Sequence, residues 1–344
     1  MRIAVVGAGL FGATAAIYAA RAGHETHLFE AKAGLMLGAS AATFARLHRG
    51  AHYPRSAETG LESRRAERSF RGEYGPAIID GGIQRYVVAP GSLVSVDEYR
   101  AFLDNESLPF SEDGGVFTVE EPRINLEMLS ALAREKVSQA GVHVHLGVKP
   151  GRELRSQFDR IVVATYASLN DTLAALDCAP EAYRYQVVEK IVARLPEQFK
   201  GQSTVVVDGP FGCVDPMDDT DCHIIGHVTK TIHASNTGHH AIVPPHMMPL
   251  LDRGLITDTR CTRFRETVDD LARWIPGLDE AEYVGSQFTT RAVLAHQEST
   301  DQRPTLVSQI DEQISTIFSG KLGTCVTAAQ AVCDMLLLKE RVAA

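Results

Sequence analysis

The first thirty residues alternate between short apolar runs and turns built from small residues. Residues 2–6 read Arg-Ile-Ala-Val-Val and predict a buried strand. Three glycines follow, and an alanine-rich run up to Gly23 predicts a helix that packs closely on that strand. A second short apolar run then ends on Glu30. This order of strand, glycine turn, helix and strand predicts a βαβ unit at the start of the chain.

The glycine spacing gives this unit a binding function. Gly7 permits a tight turn from strand to helix, and Gly9 lets the backbone approach a pyrophosphate. Gly12 allows the helix to pack closely on the strand, while free N–H groups at the helix start can face an anion. Glu30 lies 18 residues after Gly12, where its carboxylate can accept hydrogen bonds from ribose hydroxyls. The motif predicts a dinucleotide, and Glu30 suits either NAD or FAD.

The next part of the chain continues the α/β pattern. Residues 116–119 predict a strand, and residues 125–140 predict an amphipathic helix that ends at Gly141. Residues 142–146 alternate between apolar and polar side chains, as in another strand. Residues 158–164 contain Ile-Val-Val, a continuous apolar run typical of a strand buried on both faces.

A different pattern occupies the second half. Residues 183–245 contain short β-rich runs separated by proline and glycine turns, which predicts an antiparallel sheet in a second lobe. Residues 259–274 restore a helical pattern. Residues 317–323 then form a second glycine-containing turn before a final helix at about residues 324–340. The fold class predicted is α/β, with a Rossmann-type domain and an interleaved, mainly antiparallel β-sheet domain.

Composition narrows the class of protein. With 44% hydrophobic and 22% charged residues and a net charge of -9, neither nucleic acid nor an anionic membrane is an expected partner. Six scattered cysteines without a Cys-x-x-Cys pair fit reduced thiols and a cytoplasmic location. A first strand starting at residue 2 predicts no secretory signal, and glycines interrupt the longest apolar stretch near the N-terminus, which makes it a poor transmembrane candidate. The sequence indicates no oligomeric state.

Four separated segments of the chain resemble the D-amino-acid-oxidase-like (DAO) superfamily of FAD-dependent oxidoreductases. They are the fingerprint through Glu30, residues 38–56, residues 158–170, and the tail in which Arg303-Pro304 precedes residues 318–323. In this family a small-residue, serine-containing loop passes under the flavin, as residues 38–56 would. Two departures stand out. This chain has Ala164-Thr165-Tyr166 where many FAD proteins have Ala-Thr-Gly, and its last turn carries fewer glycines.

The resemblance implies FAD as the cofactor and a discontinuous domain division. The FAD-binding domain would comprise residues 1–80, 116–170 and 290–344, and the substrate domain residues 81–115 and 171–289. The residues expected to bind the cofactor are Gly7, Gly9, Leu10, Phe11, Gly12, Glu30, Ala31, Ser40, Arg46, Leu47, His48, Val148, Ala164, Thr165, Gly320, Lys321, Leu322, Gly323 and Thr324.

The family resemblance also implies catalytic roles. A hydride would pass from a substrate C–H to flavin N5, and Lys321 could stabilise negative charge at the pyrimidine edge, unless it is only a surface lysine. Arg303 matches the family's carboxylate-binding arginine and Arg291 is the other candidate, although either could form an internal salt bridge. His52, like His48, would lie beside the flavin and tune its chemistry or carry a covalent link. The two histidines are spaced four apart in a loop, so we expect no metal site.

Several functions remain compatible with this pattern. The leading prediction is FAD-dependent oxidation of a small amine or amino acid, with electrons passing to oxygen or another acceptor. Oxidation of a 2-hydroxy acid or a sugar-like alcohol uses the same hydride geometry. A flavin hydroxylase is less favoured, because the C-terminal third has no Gly-Asp pair. A disulfide reductase is excluded, since there is no Cys-x-x-Cys and no second fingerprint. An NAD- or flavin-binding regulatory protein is the non-enzymatic alternative.

Overall fold

A computed structural model describes residues 1–217, 220–295 and 303–343, with side chains described as far as residue 337. The strands are β1 (Arg2–Val6), β2 (Glu25–Glu30), β3 (Ile78–Ile79), β4 (Ile83–Val88), β5 (Phe110–Asp113), β6 (Val116–Glu120), β7 (Arg123–Ile124), β8 (His143–Leu146), β9 (Arg160–Val163), β10 (Tyr183–Arg194), β11 (Gln202–Val207), β12 (Gly212–Pro216), β13 (Cys222–His227), β14 (Ile232–Gly238), β15 (Glu282–Leu294), β16 (Leu306–Gln309) and β17 (Ile314–Phe318). The α-helices are α1 (Leu10–Arg21), α2 (Ala57–Tyr74), α3 (Val96–Asn105), α4 (Leu126–Gln139), α5 (Leu154–Gln157), α6 (Leu169–Ala175), α7 (Phe264–Leu271) and α8 (Cys325–Ala343).

Within these residues, a six-stranded sheet has the order β16-β17-β9-β1-β2-β8. Its strands are parallel except for β16, which runs antiparallel to β17. Strand β1 is central, and Ile3 and Val5 pack in a core shared with α1 and α8, while Ala4 and Val6 face a second core. Burial on both faces explains the continuous apolar runs in β1 and β9.

A second sheet contains nine described strands and is mainly antiparallel. Strand β10 pairs with three strands of this sheet. It pairs with β15 along its whole length, with β14 near its start and with β13 near its end. Strands β4 and β11 form a parallel pair within this sheet. The remaining pair, β3 and β7, forms a small separate sheet. None of the described helices is long and apolar enough to cross a bilayer.

The predicted α/β class with an antiparallel second sheet is confirmed by this architecture. The helix predicted over residues 125–140 is α4, and the Asn125 side chain caps it by accepting a hydrogen bond from the Met128 N–H at 2.8 Å. The helix predicted over residues 259–274 is shorter and begins at Phe264. Its expected first residues form a turn instead, because the Thr262 hydroxyl and the Arg263 N–H both donate to the buried Glu189 carboxylate.

The division into two domains remains a proposal. Residues 116–119, assigned to the FAD-binding part, form β6, which pairs with β4 in the nine-stranded sheet. Strand β15 runs across the expected boundary at residue 290.

Side chains along β10 point alternately to the two faces of the sheet, and one of these faces lines a cavity. The residues that face the cavity are Arg184, Gln186, Val188 and Lys190, while Tyr185 and Glu189 are buried on the other side.

Candidate active site

A cavity of about 1020 Å³ lies where the carboxyl ends of β1, β2 and β9 meet one face of the nine-stranded sheet. The structure brings together most of the residues that the sequence singled out. Those lining the cavity are Gly7, Gly9, Leu10, Phe11, Glu30, Ala31, Ser40, Arg46, His48, His52, Val148, Ala164, Thr165, Arg291, Arg303, Gly320, Lys321 and Leu322.

Four of the expected cofactor residues do not line this cavity. Gly12 packs against the first turn, where an added Cβ would come within 1.8 Å of the Gly7 carbonyl oxygen. Leu47 is fully buried in an apolar core, and a Cβ at Gly323 would meet its Cδ1 atom. Thr324 is buried, and its hydroxyl contacts those of Thr305 and Ser319. These residues therefore support the turns that line the cavity.

The first glycine turn presents an anion-binding helix end to the cavity. Gly7 has a φ of +98°, and an added Cβ would lie 2.7 Å from the Ala164 carbonyl oxygen, so only glycine fits without strain. Helix α1 follows with Gly9 as its N-cap and no acidic residue in its first turn, and the Ser40 hydroxyl accepts a hydrogen bond from the Leu10 N–H at 3.2 Å. The partial positive charge of the helix start is therefore available to a phosphate in the cavity.

The Glu30 carboxylate is held at the edge of the cavity by backbone groups. Its Oε2 accepts a hydrogen bond from the Ala8 N–H at 2.7 Å, and its Oε1 accepts one from the Lys32 N–H at 2.9 Å. The Val148 N–H donates to the Glu30 carbonyl at 2.9 Å, which brings Val148 to the same edge. Each carboxylate oxygen keeps acceptor capacity for a ribose hydroxyl.

The loop after β2 carries a buried ion pair that the sequence did not reveal. Arg46 Nη2 lies 2.9 Å from Asp215 Oδ2, and both side chains are only 2% exposed. Burial opposes the charge on Arg46, but the attraction of Asp215 prevails and its pKa is raised. Asp215 lies on β12, far along the chain, and nothing in its local sequence marks it as a partner of Arg46.

His48 and His52 stack beside this pair with ring centroids 5.0 Å apart. Burial, together with the nearby charges of His52 and Arg46, holds the pKa of His48 well below its usual value, so its ring is neutral. Among the described residues, neither His48 Nδ1 nor Arg46 Nε has a hydrogen-bond partner. Buried polar atoms of this kind are normally satisfied. Both residues line the cavity, and the polar edge of a flavin would provide partners for them.

Lys321 lies at the second glycine turn, as expected, but its charge is compensated. Its Nζ forms an ion pair with Glu62 of α2, and the Lys321 side chain is 6% exposed. Burial lowers the pKa of Lys321 despite the opposing effect of Glu62. Glu62 also accepts a hydrogen bond from the Thr305 N–H at 3.0 Å, so it ties α2 to the tail of the chain. Glu62 belongs to α2, a charge-rich helix with no motif that marks it as the partner of Lys321.

Arg291 and Arg303 both lie near the phenol of Tyr166. Burial raises the pKa of Tyr166, while the two guanidinium groups and the Ala292 backbone lower it. The Arg291 Nε donates to Gln186 Oε1 at 2.6 Å across the β10–β15 pair. Tyr166 itself has a φ of +51° in the turn where many FAD proteins have glycine, and its hydroxyl would lie 3.5 Å from a Cβ at Gly320. The structure thus joins three separated segments around one phenol.

Lys190 is a further cavity residue that sequence reasoning missed. Its Nζ lies 3.6 Å from the centroid of the Phe44 ring. Burial lowers the pKa of Lys190 to about 7; Arg291 and Arg46 add to this effect, while Cys213 and Asp215 oppose it. The signal that could have found it is the period-two alternation of β10, which places Lys190 on the same face as Gln186.

The fold is that of a Rossmann-type, nucleotide-binding oxidoreductase. It combines the glycine turn and the parallel sheet with an antiparallel sheet, and the cavity lies between the two sheets. Residues 2–173 match the family model DAO, described as FAD dependent oxidoreductase. The chain therefore belongs to the DAO family of FAD-dependent oxidoreductases, and FAD is its cofactor.

Relatives and solved structures agree with this assignment. The chain is 27% identical to the FAD-dependent monooxygenase kojA of Aspergillus flavus, over 98% of this chain and 86% of that protein. Glycine oxidase from Geobacillus kaustophilus superposes with a TM-score of 0.69 at 14% identity, over 97% and 94% of the two chains. L-amino acid deaminase from Proteus vulgaris gives a TM-score of 0.71 at 12% identity, over 98% and 93%. At these identities the solved structures establish the fold.

Proposed function

We propose that the protein oxidises the C–H bond next to the nitrogen of a small amine that carries a carboxylate, such as an amino acid. The observation that carries this proposal is the pair of arginines, Arg291 and Arg303, beside Tyr166 in the cavity. Guanidinium groups bind carboxylates through two parallel hydrogen bonds, which fixes both position and orientation. A substrate held there would present its neighbouring carbon in a defined direction.

The residues of the cavity suit FAD in an extended form. We propose that the start of α1 at Gly9, Leu10 and Phe11 binds the pyrophosphate and that Glu30 binds the adenosine ribose. The turn at Gly320 and Lys321 and the loop with Arg46 and His48 would enclose the flavin. FAD, once bound, supplies the hydride acceptor, while the protein positions substrate and cofactor.

The charged groups around Tyr166 also suit an anionic substrate. His48 is held neutral by burial. The environment of Tyr166 contains two guanidinium groups, and a substrate carboxylate there would be bound in a partly desolvated site, where charge-assisted hydrogen bonds are strongest.

The test begins with the purified yellow protein under anaerobic conditions. We expect amino acids to bleach the flavin absorbance, and 2-hydroxy acids or sugar-like alcohols of similar size to bleach it more slowly or not at all. Bleaching only by hydroxy compounds would replace the amine proposal with the alcohol alternative. Peroxide formation on return of air would identify oxygen as the acceptor. The proposal includes oxygen or another molecule as the electron acceptor and the cytoplasm as the location of the protein.

A second candidate is hydroxylation, because the curated relative that aligns over 98% of this chain is named a monooxygenase. That chemistry requires an external reductant and inserts an oxygen atom into the product. NADPH would then bleach the flavin in the absence of any amine, and oxygen-18 from labelled O₂ would enter the organic product. We expect neither result if the amine proposal is correct.

A further inference from the structure

One amine that lines the cavity, that of Lys190, is held over an aromatic ring. Lys190 extends from β10 over the Phe44 ring, and among the described residues no carboxylate forms an ion pair with its Nζ. The nearby Asp215 carboxylate is already paired with Arg46. Arg46, Arg55 and Lys321, by contrast, each have a carboxylate partner. The face of the Phe44 ring is the group that favours the charged form of this amine, and burial disfavours that form.

The groups that face Lys190 come from several elements. Arg46 comes from the loop after β2, Cys213 and Asp215 from β12, and Arg291 from β15. Burial raises the pKa of the Cys213 thiol to about 11, so it stays uncharged at neutral pH. Strand β13 contributes Gly226, which has no side chain. The net surroundings of Lys190 are therefore neutral to positive and disfavour a second positive charge.

Packing fixes the position of this amine. The Phe44 ring lies against Gly226, where an added Cβ would come within 2.5 Å of the ring. The ring is thus held between the β13 backbone and Lys190 Nζ. Lys190 also shares a face of β10 with Gln186, the partner of Arg291, about 13 Å away along the strand. Two long side chains extending from Lys190 and Arg291 can reach the two ends of one small substrate.

We propose that Lys190 is the proton acceptor for the substrate's nitrogen, an inference that rests on the proposed amine oxidation. An amino acid enters with an ammonium group, whose nitrogen has no lone pair to help break the adjacent C–H bond. The proton moves from that nitrogen to Lys190 Nζ, which becomes an ammonium. The freed nitrogen lone pair could then form the C=N bond, and FAD, when bound, would accept the hydride with its electron pair. Charge and atoms balance, and the product is an iminium.

The state of Lys190 can be measured without turnover. The holoenzyme is treated briefly with acetic anhydride between pH 5 and pH 11, and acetylation of each lysine is followed by peptide mass spectrometry. We expect half-maximal labelling of Lys190 near pH 7, against about 10.4 for a lysine in a model peptide. The exposed Lys200 in the same digest serves as an internal reference. Labelling of Lys190 that follows the model peptide would overturn the proposal.

The role of Lys190 is tested by variants on the rate of anaerobic flavin reduction. Lys190→Met cannot accept a proton, and Lys190→Arg keeps a fixed charge. We expect both to reduce the rate at pH 8 by about 100-fold and to lose a wild-type inflection near pH 7. Lys200→Met, on the exposed surface, is the matched control with wild-type behaviour. An unchanged pH profile in Lys190→Met, with active wild type, would overturn this inference alone. Failure of the wild type to react with any amine would overturn the proposed function and the inference with it.

Discussion

At the scale of single residues, the cavity depends on how each buried charge is compensated. The pair formed by Arg46 and Asp215 is almost fully buried. Removing one member of such a pair leaves the other charge in a medium that solvates it poorly. The pair therefore fixes the loop after β2 to β12, and through it the position of the neighbouring His48 and His52.

Asp215→Asn should show this dependence directly. We expect the free energy of unfolding of the holoenzyme to fall by about 3 kcal/mol, because Arg46 loses its counter-ion in a buried site. Urea unfolding followed by circular dichroism measures the change. Asp221→Asn is the matched control, since Asp221 forms an exposed pair with Arg194 and should cost less than about 1 kcal/mol. Equal effects of the two changes would contradict the assigned role of Asp215.

Lys190 predicts a pH dependence of stability. Its pKa of about 7 in the folded chain lies below that of an unfolded lysine, so between pH 7 and pH 10 the unfolded chain binds more protons. The stability contribution present above pH 10 is lost as pH falls towards 7. Methionine does not titrate, so only the wild type loses this stability. We therefore expect the Tm of Lys190→Met to rise relative to the Tm of the wild type as the pH falls from 10 to 7. A difference independent of pH, as expected for Lys200→Met, would contradict an uncharged Lys190.

At the scale of elements, the glycine turn and the start of α1 form the most predictable part of the site. Gly7 and Gly12 have the geometric roles that their spacing predicts, a positive φ in the turn and a close contact of the helix with that turn, while the pyrophosphate role of Gly9 stays a prediction. This success has a physical basis. A local turn is encoded in consecutive residues, and its requirements on φ and on missing Cβ atoms are strict.

Gly9→Ala separates binding from folding at this turn. Gly9 has an ordinary φ of -65°, and an added Cβ would meet only Ser40 Oγ, at 3.2 Å. We expect the variant to fold but to bind FAD at least ~10-fold more weakly, because the methyl group occupies the approach of the pyrophosphate. Gly72→Ala in α2, where a Cβ meets nothing, is the control. Equal retention of FAD by both variants in fluorescence titrations would locate the pyrophosphate elsewhere.

The partners of the site residues could not be predicted at this scale. Glu62 and Asp215 lie 259 and 169 positions from Lys321 and Arg46, and their own segments carry no motif. Lys190 lies in one of the short β-rich runs, and the sequence gives it no special role. Which side chains meet across two sheets depends on strand order and register, and those are set by the whole core. Sequence patterns located the loops of the site, while only the fold shows how their charges are neutralised.

At the scale of the whole molecule, the six-stranded sheet is well suited to FAD and the nine-stranded sheet to the substrate. Strand β10 contributes two residues to the proposed substrate site, since its cavity face carries both Gln186, the partner of Arg291, and Lys190. The overall class was predictable because strand, helix and turn patterns follow the chain in order. The pairing of β6 with β4 could not be predicted, because the apolar and polar patterns of these two segments would suit a strand of either sheet.

A comparison of substrates with and without a carboxylate tests whether the arginine pair selects the substrate. Anaerobic stopped-flow reduction of the flavin is recorded with an amino acid and with the amine left after removal of its carboxylate. The arginine pair predicts a second-order rate constant at least ~100-fold higher for the amino acid, and Arg303→Met should reduce this preference. Equal rates for both compounds, or a flavin that only NADPH reduces, would contradict oxidation of a carboxylate-bearing amine at this site.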